Sequence, residues 1–319
     1  MAKPPARPQP KPLYSSAEGE AALRRLYDDT LAALPFQHEE RWVDTPSFGR
    51  AHVLVAGPEG APPLMLWHGT AAPGPLMLRA FDPLVKRFRV YCPDIPLQAG
   101  SRSEPAVLDP ASHGHGRWCV EVMEGLGLLG GAGLPPPHPP LHVGISLGGS
   151  VLLDLAVVKP EAVGGAALLV PGSLHPEFAK HLMPLSVALS FALYRWLPCR
   201  LTAWLVLDRM CDAPYDQEDP TLKNILLGIR HCNYFPEGPL AFADEQLRRL
   251  AGPTLLVAAE RDSFGPGAAT ADRARSVWPA SQLKVELLPG KHVGNKEVMA
   301  QTSQRVIRFF EERGVAGPA

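Results

Sequence analysis

Short apolar runs separated by segments rich in Gly and Pro make up most of the hydrophobic pattern of this chain. Eight runs have the length and the apolar content typical of β-strands. They cover residues 40–44, 51–56, 64–67, 89–92, 141–145, 166–170, 254–259 and 284–288. Between the later runs, apolar residues return every three or four positions, as over 117–128 and 295–313, which predicts helices there.

The order of these elements predicts the fold class. Continuous apolar strands that alternate with helices indicate a mostly parallel sheet of about eight strands, covered by helices on both faces. The first two strands are expected to form an antiparallel hairpin at the sheet edge. In an α/β protein of this kind, ligands bind outside the carboxyl ends of the strands. The chemistry should therefore lie where these runs end.

Composition narrows the class of protein further. With 319 residues, 46% of them hydrophobic, the chain can bury one large core and carry one insertion. Its 31 basic and 32 acidic residues are spread along the chain and leave a net charge of -1. That balance predicts neither a nucleic acid nor an anionic membrane as partner, and it leaves the oligomeric state open.

The cysteines and the N-terminal residues indicate the cellular compartment of the protein. The five cysteines form no C-x-x-C pair, so a disulfide framework is not expected and a reducing, cytoplasmic compartment fits. Residues 1–12 are rich in Pro and basic side chains and contain no apolar stretch of the kind found in secretory signals. We expect them to form a disordered tail.

A Gly-Ile-Ser-Leu-Gly sequence at residues 144–148 directly follows one predicted strand and precedes a helix-like stretch. A serine at a tight strand-to-helix turn has an exposed hydroxyl, and flanking glycines relieve the steric crowding. The pattern alone occurs by chance in many proteins, so it needs this strand–turn–helix context. With that context, Ser146 is the candidate nucleophile.

Other strand ends supply the groups that such a serine needs. The strand at 64–67 ends in a His-Gly-Thr sequence. The backbone N–H of Thr70 and that of Leu147 are candidate donors to an oxyanion, which requires two such groups. The alternative is an ordinary strand-ending turn with a buried histidine.

Two further strands end in an acid and a histidine. Asp262 follows the strand at 254–259, and His292 follows the strand at 284–288. Separately, Asp262 could cap a turn and His292 could be a solvated loop residue. Together with Ser146 they give the order Ser, Asp, His and predict a catalytic triad. Glu260, two residues upstream on the same face of the strand, is the alternative acid.

These motifs resemble those of the α/β-hydrolase superfamily, and specifically its bacterial carboxylesterase-like branch, over about residues 23–313. The segment from Val90 through Asp94 and Pro96 to Ser103 is similar to a loop of that superfamily, and residues 242–247 resemble the branch's entry to the seventh strand. Leu97 to Ala99 depart from the pattern, because they replace its first glycine. The resemblance implies a serine hydrolase (EC 3.1.1) that cleaves small esters through an acyl-enzyme on Ser146 without a cofactor.

Two alternatives remain open at this stage. The same triad could hydrolyse a C–C bond, thioester, lactone or amide, or carry out perhydrolysis, and a non-catalytic binding protein could keep the fold. A metal site at His113 and His115 is not expected, because neither a carboxylate nor a cysteine cluster accompanies them in the sequence.

The segment at 173–250 is predicted to be a helical lid between two parts of the hydrolase core, 13–172 and 251–319. It contains apolar runs at 182–194 and 201–207, and the charged or helix-breaking residues between them leave each run shorter than the ~20 residues of a membrane-spanning helix. Stable membrane insertion is therefore not expected. Phe191 and Trp204 are the candidate substrate-binding residues, which favours an apolar acyl or alcohol group.

Overall fold

The computed structural model describes residues 10–130, 139–174, 184–216, 218–233 and 241–316. Of the predicted tail, residues 1–9 lie outside this set. Residues 10–12 lead into a short bridge, in which Tyr14 pairs with Cys232 and the carbonyl of Pro12 accepts a hydrogen bond of 3.4 Å from Asn233 Nδ2. The N-terminal segment thus runs against the end of a helix from the second half of the chain.

One sheet of eight strands forms the centre of the molecule, in the order β1-β2-β4-β3-β5-β6-β7-β8. All eight predicted strands are present, and each of their ends either coincides with the prediction or differs from it by one or two residues. They are β1 His38–Thr45, β2 Gly49–Ala56, β3 Pro63–Trp67, β4 Arg89–Pro93, β5 Leu141–Ile145, β6 Gly165–Leu169, β7 Thr254–Ala259 and β8 Leu283–Leu288.

The pairing confirms the predicted topology. Strands β1 and β2 form an antiparallel hairpin at one edge, and β2 also pairs antiparallel with β4. From β4 to β8 every pairing is parallel. Strands β6 and β7 are buried along their whole length, which explains their continuous apolar sequences. Their carboxyl ends point to the same edge of the sheet.

Helices cover both faces of this sheet. One core cluster contains Trp118, Leu152 and Trp278, and the other contains Phe88, Phe309 and Phe310. The described helices are α1 Ala17–Ala32, α2 Gly74–Ala80, α3 Asp82–Arg87, α4 Gly114–Gly125, α5 Leu147–Val158, α6 Leu185–Trp196, α7 Arg200–Met210, α8 Pro220–His231, α9 Asp244–Leu247, α10 Gly267–Val277 and α11 Lys296–Glu312.

Helices α6 to α9 occupy the segment between β6 and β7, where the sequence predicts a lid. Buried residues of α7 and α8, among them Leu207 and Ile225, form a separate apolar cluster against which Phe191 of α6 packs. This cluster is distinct from the two cores that flank the sheet. The role of the segment as a lid stays a prediction.

All five cysteines lie in the described part of the chain, none of them forms a disulfide, and only Cys199 is exposed. Across the described ranges, the structure contains no helix with the length and apolar character required to cross a bilayer.

Candidate active site

Ser146 lies at a sharp turn between β5 and α5. Its backbone has φ 52° and ψ -112°, a conformation that non-glycine residues adopt at a cost. A Cβ on Gly148 would lie 1.9 Å from the Trp67 carbonyl oxygen, and one on Gly144 would lie 2.5 Å from the Gly148 carbonyl oxygen. Both glycines are therefore required sterically. The turn is further held by a hydrogen bond of 2.9 Å from the Ser146 N–H to the Leu169 carbonyl on β6.

Ser146, His292 and Asp262 form one hydrogen-bonded chain. His292 Nε2 lies 2.9 Å from Ser146 Oγ, and His292 Nδ1 lies 2.8 Å from Asp262 Oδ2. The side chains of His292 and Asp262 are only 11% and 8% exposed, so little water competes for the Nδ1–carboxylate bond. The structure thus brings together the three residues that the sequence predicted as a triad.

The pairing of β7 with β8 decides which acid meets the histidine. Beyond the paired strands, the N–H of Glu260 donates to the Leu288 carbonyl and the N–H of Arg261 donates to the Gly290 carbonyl. This extension keeps the two loops side by side. Glu260 is exposed. Asp262 instead faces His292, and its Oδ1 accepts a hydrogen bond of 2.8 Å from the Phe264 N–H, which leaves Oδ2 for the imidazole.

Neighbours of His292 fix the position of its loop. The Phe264 ring meets the imidazole edge-on, with ring centroids 4.7 Å apart. On the other side, Val293 pairs with the end of α7, since its N–H donates to the Met210 carbonyl and its carbonyl accepts from the Asp212 N–H, both at 2.9 Å. The histidine loop is thereby attached to the helices inserted between β6 and β7. No local sequence signal indicated this attachment.

The two residues predicted to supply the oxyanion donors, Thr70 and Leu147, line the cleft that contains Ser146. Leu147 is the first residue of α5, where a helix leaves its N–H groups without intrahelical acceptors. Thr70 follows β3 and is exposed. Both line the same cleft as Ser146. Neither N–H has a protein acceptor among the residues that the structure describes, so both are available to a ligand.

His68 holds the turn that carries Thr70. The imidazole is fully buried, its Nε2 accepts a hydrogen bond of 2.7 Å from the Ile95 N–H, and its Nδ1 lies 2.8 Å from the Gly69 carbonyl oxygen. With Nε2 as acceptor, Nδ1 carries the proton and donates it to that carbonyl. Burial lowers the pKa of His68, so the ring stays neutral and keeps both bonds. His68 is therefore a buried residue that holds the loop beside Ser146, and the role of Thr70 in that loop stays a prediction.

Asn224 is a buried residue near the site that the sequence analysis missed. It belongs to α8, is 1% exposed, and donates through Nδ2 to the Ala71 carbonyl at 2.7 Å and to the Ala99 carbonyl at 3.3 Å. Ala71 has φ 54°. A single side chain of the inserted helices thus binds the loop after β3 and the loop after β4.

Asp94 organises the loop after β4. Its Oδ2 accepts hydrogen bonds from Tyr27 Oη at 2.9 Å and from the Arg102 N–H at 3.2 Å, and it lies 3.1 Å from His52 Nδ1. Its Oδ1 accepts from the Gly74 N–H at 2.8 Å. Burial alone would raise the pKa of Asp94, but the interactions with His52 and the other donors lower it. This buried carboxylate thus fixes the loop after β4 to α1, to β2 and to the start of α2.

Leu97, which stands where the superfamily pattern has a glycine, adopts φ 59°. The left-handed backbone that glycine would favour is thus kept with a leucine side chain. Leu97 and Gln98 both line the cleft. The departure from the pattern therefore changes the wall of the cleft rather than the course of the chain.

A cleft of about 1770 Å³ opens above Ser146 and His292. Helices α6 and α8 contribute part of its wall, including Phe191 and Ile225. Trp204 is not among its described lining residues, which corrects the prediction for this side chain. On α7 the buried positions are Thr202, Ala203, Val206, Leu207 and Met210. Trp204 lies outside that face and is 46% exposed.

The two histidines considered for a metal site have other surroundings. His113 Nδ1 lies 2.6 Å from Asp154 Oδ1. His115 is 4% exposed and lines the cleft, and burial lowers its pKa to about 4. Among the residues that the structure describes, no group of three or more His, Cys, Asp or Glu side chains is arranged to hold a metal ion.

Known proteins share this architecture over nearly the whole chain. No protein-family model matches. "Uncharacterized carboxylesterase nap" of Bacillus subtilis (strain 168) is 26% identical over 304 residues, which is 92% of this chain and 93% of that protein. The crystal structure of naproxen esterase (carboxylesterase NP) from Bacillus subtilis is 25% identical, with a TM-score of 0.70 over 93% of this chain and 99% of that one. The chain has the α/β-hydrolase fold.

The two Bacillus subtilis relatives are similar to the carboxylesterase-like branch that the motifs of this chain resemble, and they support a hydrolase function. A relative with another name also matches. The "Magnesium-chelatase 30 kDa subunit" of Rhodobacter capsulatus is 28% identical over 275 residues, 81% of this chain and 90% of that protein. The fold is therefore shared by relatives with different names, and the function has to be argued from the site.

Proposed function

We propose that this α/β-hydrolase is a serine esterase that cleaves carboxylic esters through an acyl-enzyme on Ser146. One observation carries the proposal, namely the unbroken hydrogen-bonded chain from Ser146 Oγ through His292 to Asp262, with contacts of 2.9 and 2.8 Å. A nucleophile within hydrogen-bond reach of a base, itself oriented by a third group, is the arrangement that acyl transfer requires. The names of the two Bacillus subtilis relatives agree with this assignment.

In the acylation step, His292 Nε2 accepts the Ser146 proton as Oγ attacks the ester carbonyl carbon. The imidazolium that forms is stabilised by Asp262, which also holds the Nδ1–H tautomer in place. His292 then gives its proton to the departing alkoxide, and the C–O bond of the ester breaks. The products of this step are the free alcohol and an acyl group esterified to Ser146.

Hydrolysis of the acyl-enzyme uses the same groups. His292 takes a proton from water, the hydroxide adds to the acyl carbon, and the proton returns to Ser146 Oγ as the carboxylic acid leaves. In both steps the carbonyl oxygen acquires negative charge. The N–H groups of Thr70 and Leu147 are the proposed donors to that oxygen, because they border Ser146 and have no other described protein acceptor.

The residues that line the cleft favour a substrate with an apolar acyl or alcohol group. Side chains from the core and from the inserted helices face the space above Ser146, and the aliphatic and aromatic ones outnumber the charged ones nearby. Examples are Met77, Leu147, Phe191, Leu222, Ile225 and Phe264. An apolar pocket discriminates by the length and shape of the chain that it holds. The helices between β6 and β7 would then act as the lid that selects the substrate. Cysteines that form no disulfide are compatible with a reducing, cytoplasmic location.

A panel of p-nitrophenyl esters with increasing acyl length tests the proposal. We expect turnover without added metal, unchanged by a chelator, and kcat/KM that rises from the acetate to medium chains. Parallel assays with thioesters, lactones, anilides and β-diketones test the other reactions open to the same triad. Turnover of one of those classes at least tenfold above every ester would move the assignment to that reaction.

A further inference from the structure

Exposed apolar side chains are concentrated on two neighbouring helices. Nine large hydrophobic residues are exposed in the described part of the chain, and seven of them lie on α6, on α7 or on the link between these helices. We call this set the outer apolar face. Its members are Leu185 at 75% exposure, Leu189 at 60%, Leu193 at 45%, Trp196 at 83%, Leu197 at 61%, Leu201 at 66% and Trp204 at 46%.

The positions on α6 form a stripe along one side of the helix. Leu185, Leu189 and Leu193 are spaced by four residues, and Trp196 follows by three, so they share a face. Phe191 lies on another side of the same helix and lines the cleft. A helix that is apolar on all sides is normally buried on all sides. The outer side of α6 is therefore a surface that lacks its partner.

Charge indicates what that partner is. Residues 185–207 contain no Asp or Glu, and they contain the basic residues Arg195 and Arg200. Arg195 donates to the Ile229 and Cys232 carbonyls and so is partly engaged. Arg200, by contrast, is exposed in the first turn of α7, next to Leu201. An apolar surface with an exposed arginine beside it and exposed tryptophans has the composition of segments that lie in a lipid interface.

We propose that the outer apolar face docks this protein on an anionic lipid surface, with α6 and α7 lying in the plane of the interface and neither helix crossing the bilayer. The net charge of -1 for the whole chain conceals this local excess of positive charge. A second copy of the chain is the less suitable partner, because a two-fold contact would place two acid-free, basic segments against each other. The docking surface does not depend on the reaction proposed for Ser146.

Docking in this orientation would place the cleft near the lipid. Ala188, Phe191 and Ala192 line the cleft from the same helix whose other side carries the exposed leucines. Helix α6 would thus border the lipid interface on one side and, on another side, the cleft that would receive an apolar molecule from the lipid.

Vesicle co-sedimentation of the full-length protein tests the proposal. We expect binding to vesicles of phosphatidylcholine mixed with phosphatidylglycerol, and weaker binding to phosphatidylcholine alone. The double variant Leu189→Ser with Trp196→Ser should lower the partition coefficient by at least about tenfold, because two apolar side chains no longer enter the interface. Arg200→Gln should lower it by about fivefold for the mixed vesicles only. Trp42→Ser is the matched control, since Trp42 is 49% exposed but lies on β1.

Three results would overturn the proposal. One is equal binding of the wild type and the double variant to mixed vesicles, and another is equal binding of the wild type to mixed and neutral vesicles. The third is a dimer in light scattering that the double variant abolishes while no vesicle binding occurs, which would assign the face to a second copy. Leu185→Ser with Leu201→Ser provides an independent pair if the first variant has a lowered melting temperature. Esterase assays on short soluble esters are evaluated separately, because none of these substituted residues is among the described residues that line the cleft.

Discussion

The side-chain nitrogen Nδ2 of Asn224 lies 2.7 Å from the carbonyl oxygen of Ala71. Ala71 directly follows Thr70, whose N–H is a proposed oxyanion donor, and Asn224 belongs to α8 among the inserted helices. The hydrogen bond therefore connects the helices inserted between β6 and β7 to the loop that carries one proposed oxyanion donor. We regard Asn224 as a positioning residue, because it acts through the loop and does not touch Ser146.

Replacement of Asn224 by leucine should lower kcat more than it raises KM. The Ala71 and Ala99 carbonyls would lose a buried donor, and the loop that carries Thr70 would shift. Since removal of a whole oxyanion donor costs about 10²- to 10³-fold in kcat, a displaced donor should cost about ten- to a hundredfold. Steady-state kinetics on one p-nitrophenyl ester measures this effect.

Gln282→Leu is the control for Asn224→Leu. Gln282 Nε2 donates to the Leu250 carbonyl at 2.6 Å, at the end of the sheet away from the serine. Both variants remove one amide donor and should lose about 1–3 kcal/mol of stability. If the kcat of Gln282→Leu falls as far as that of Asn224→Leu, the effect reflects general destabilisation and not positioning of the loop.

Asp262→Asn should lower kcat by about 10³- to 10⁴-fold, because an amide at this position favours the wrong tautomer of His292. Glu260→Gln should stay within about tenfold of the wild type, since Glu260 is exposed and does not contact the imidazole. The two variants are compared on the same ester at the same pH. The opposite ranking would assign the orienting role to Glu260.

Phe191→Ala should change the preference for acyl chain length. Phe191 lines the cleft, and loss of its ring adds room for several methylene groups, each worth about 1–3 kcal/mol in an apolar pocket. The ratio of kcat/KM for long to short p-nitrophenyl esters should therefore shift by about ten- to 200-fold.

Trp204→Ala is the matched control for Phe191→Ala, because Trp204 is an aromatic residue of the neighbouring helix α7 that does not line the cleft. Its chain-length profile should equal that of the wild type. If Phe191→Ala leaves the dependence of kcat/KM on acyl chain length unchanged, the reason for expecting an apolar substrate group beside Phe191 is removed.

The free energy of unfolding should fall as the pH drops from about 6.5 towards 4. Burial lowers the pKa of His115 to about 4, whereas an unfolded chain binds the proton near pH 6.5. The unfolded state thus binds more protons in this window, so acid favours unfolding. Burial has the same effect on His142, whose pKa is also lowered to about 4.

Urea unfolding of His115→Leu at pH 7 and pH 5 measures this contribution. The variant should lose about 2 kcal/mol less stability than the wild type between these two pH values. Met123→Leu, a packing change on the same helix without a titratable group, should keep the wild-type difference. If all three proteins lose the same unfolding free energy between pH 7 and pH 5, His115 binds its proton equally in the folded and unfolded states.

The sheet and the predicted triad could be predicted because the sequence signals for them are local. Each strand is an apolar run of its own, and Ser146, Asp262 and His292 each follow such a run at the carboxyl end. Parallel strands bring those ends to one edge of the sheet. The order of the strands therefore predicts that Asp262 and His292 lie near Ser146, although they are 116 and 146 positions away from it in the sequence.

The contacts of Asn224 and Asp94 could not be predicted, because they join these side chains to groups that are distant in the sequence, and no pattern in the sequence indicates them. Trp204 shows a different limit of prediction from the sequence. Helices α6 and α7 are apolar on nearly all sides, so the sequence does not specify which side of each helix faces the cleft. Only the packing of α7 on α8 determines that Trp204 lies outside.

The most direct test of the central claim is the intact mass of the protein after reaction with diethyl p-nitrophenyl phosphate, followed by peptide mapping and by ester kinetics of Ser146→Ala. The account predicts one diethylphosphoryl group per chain, located on Ser146, and a kcat in Ser146→Ala that is lower by about 10⁴- to 10⁶-fold with an unchanged melting temperature. Labelling at another residue, or ester turnover by Ser146→Ala within tenfold of the wild type, would contradict an acyl-enzyme on Ser146.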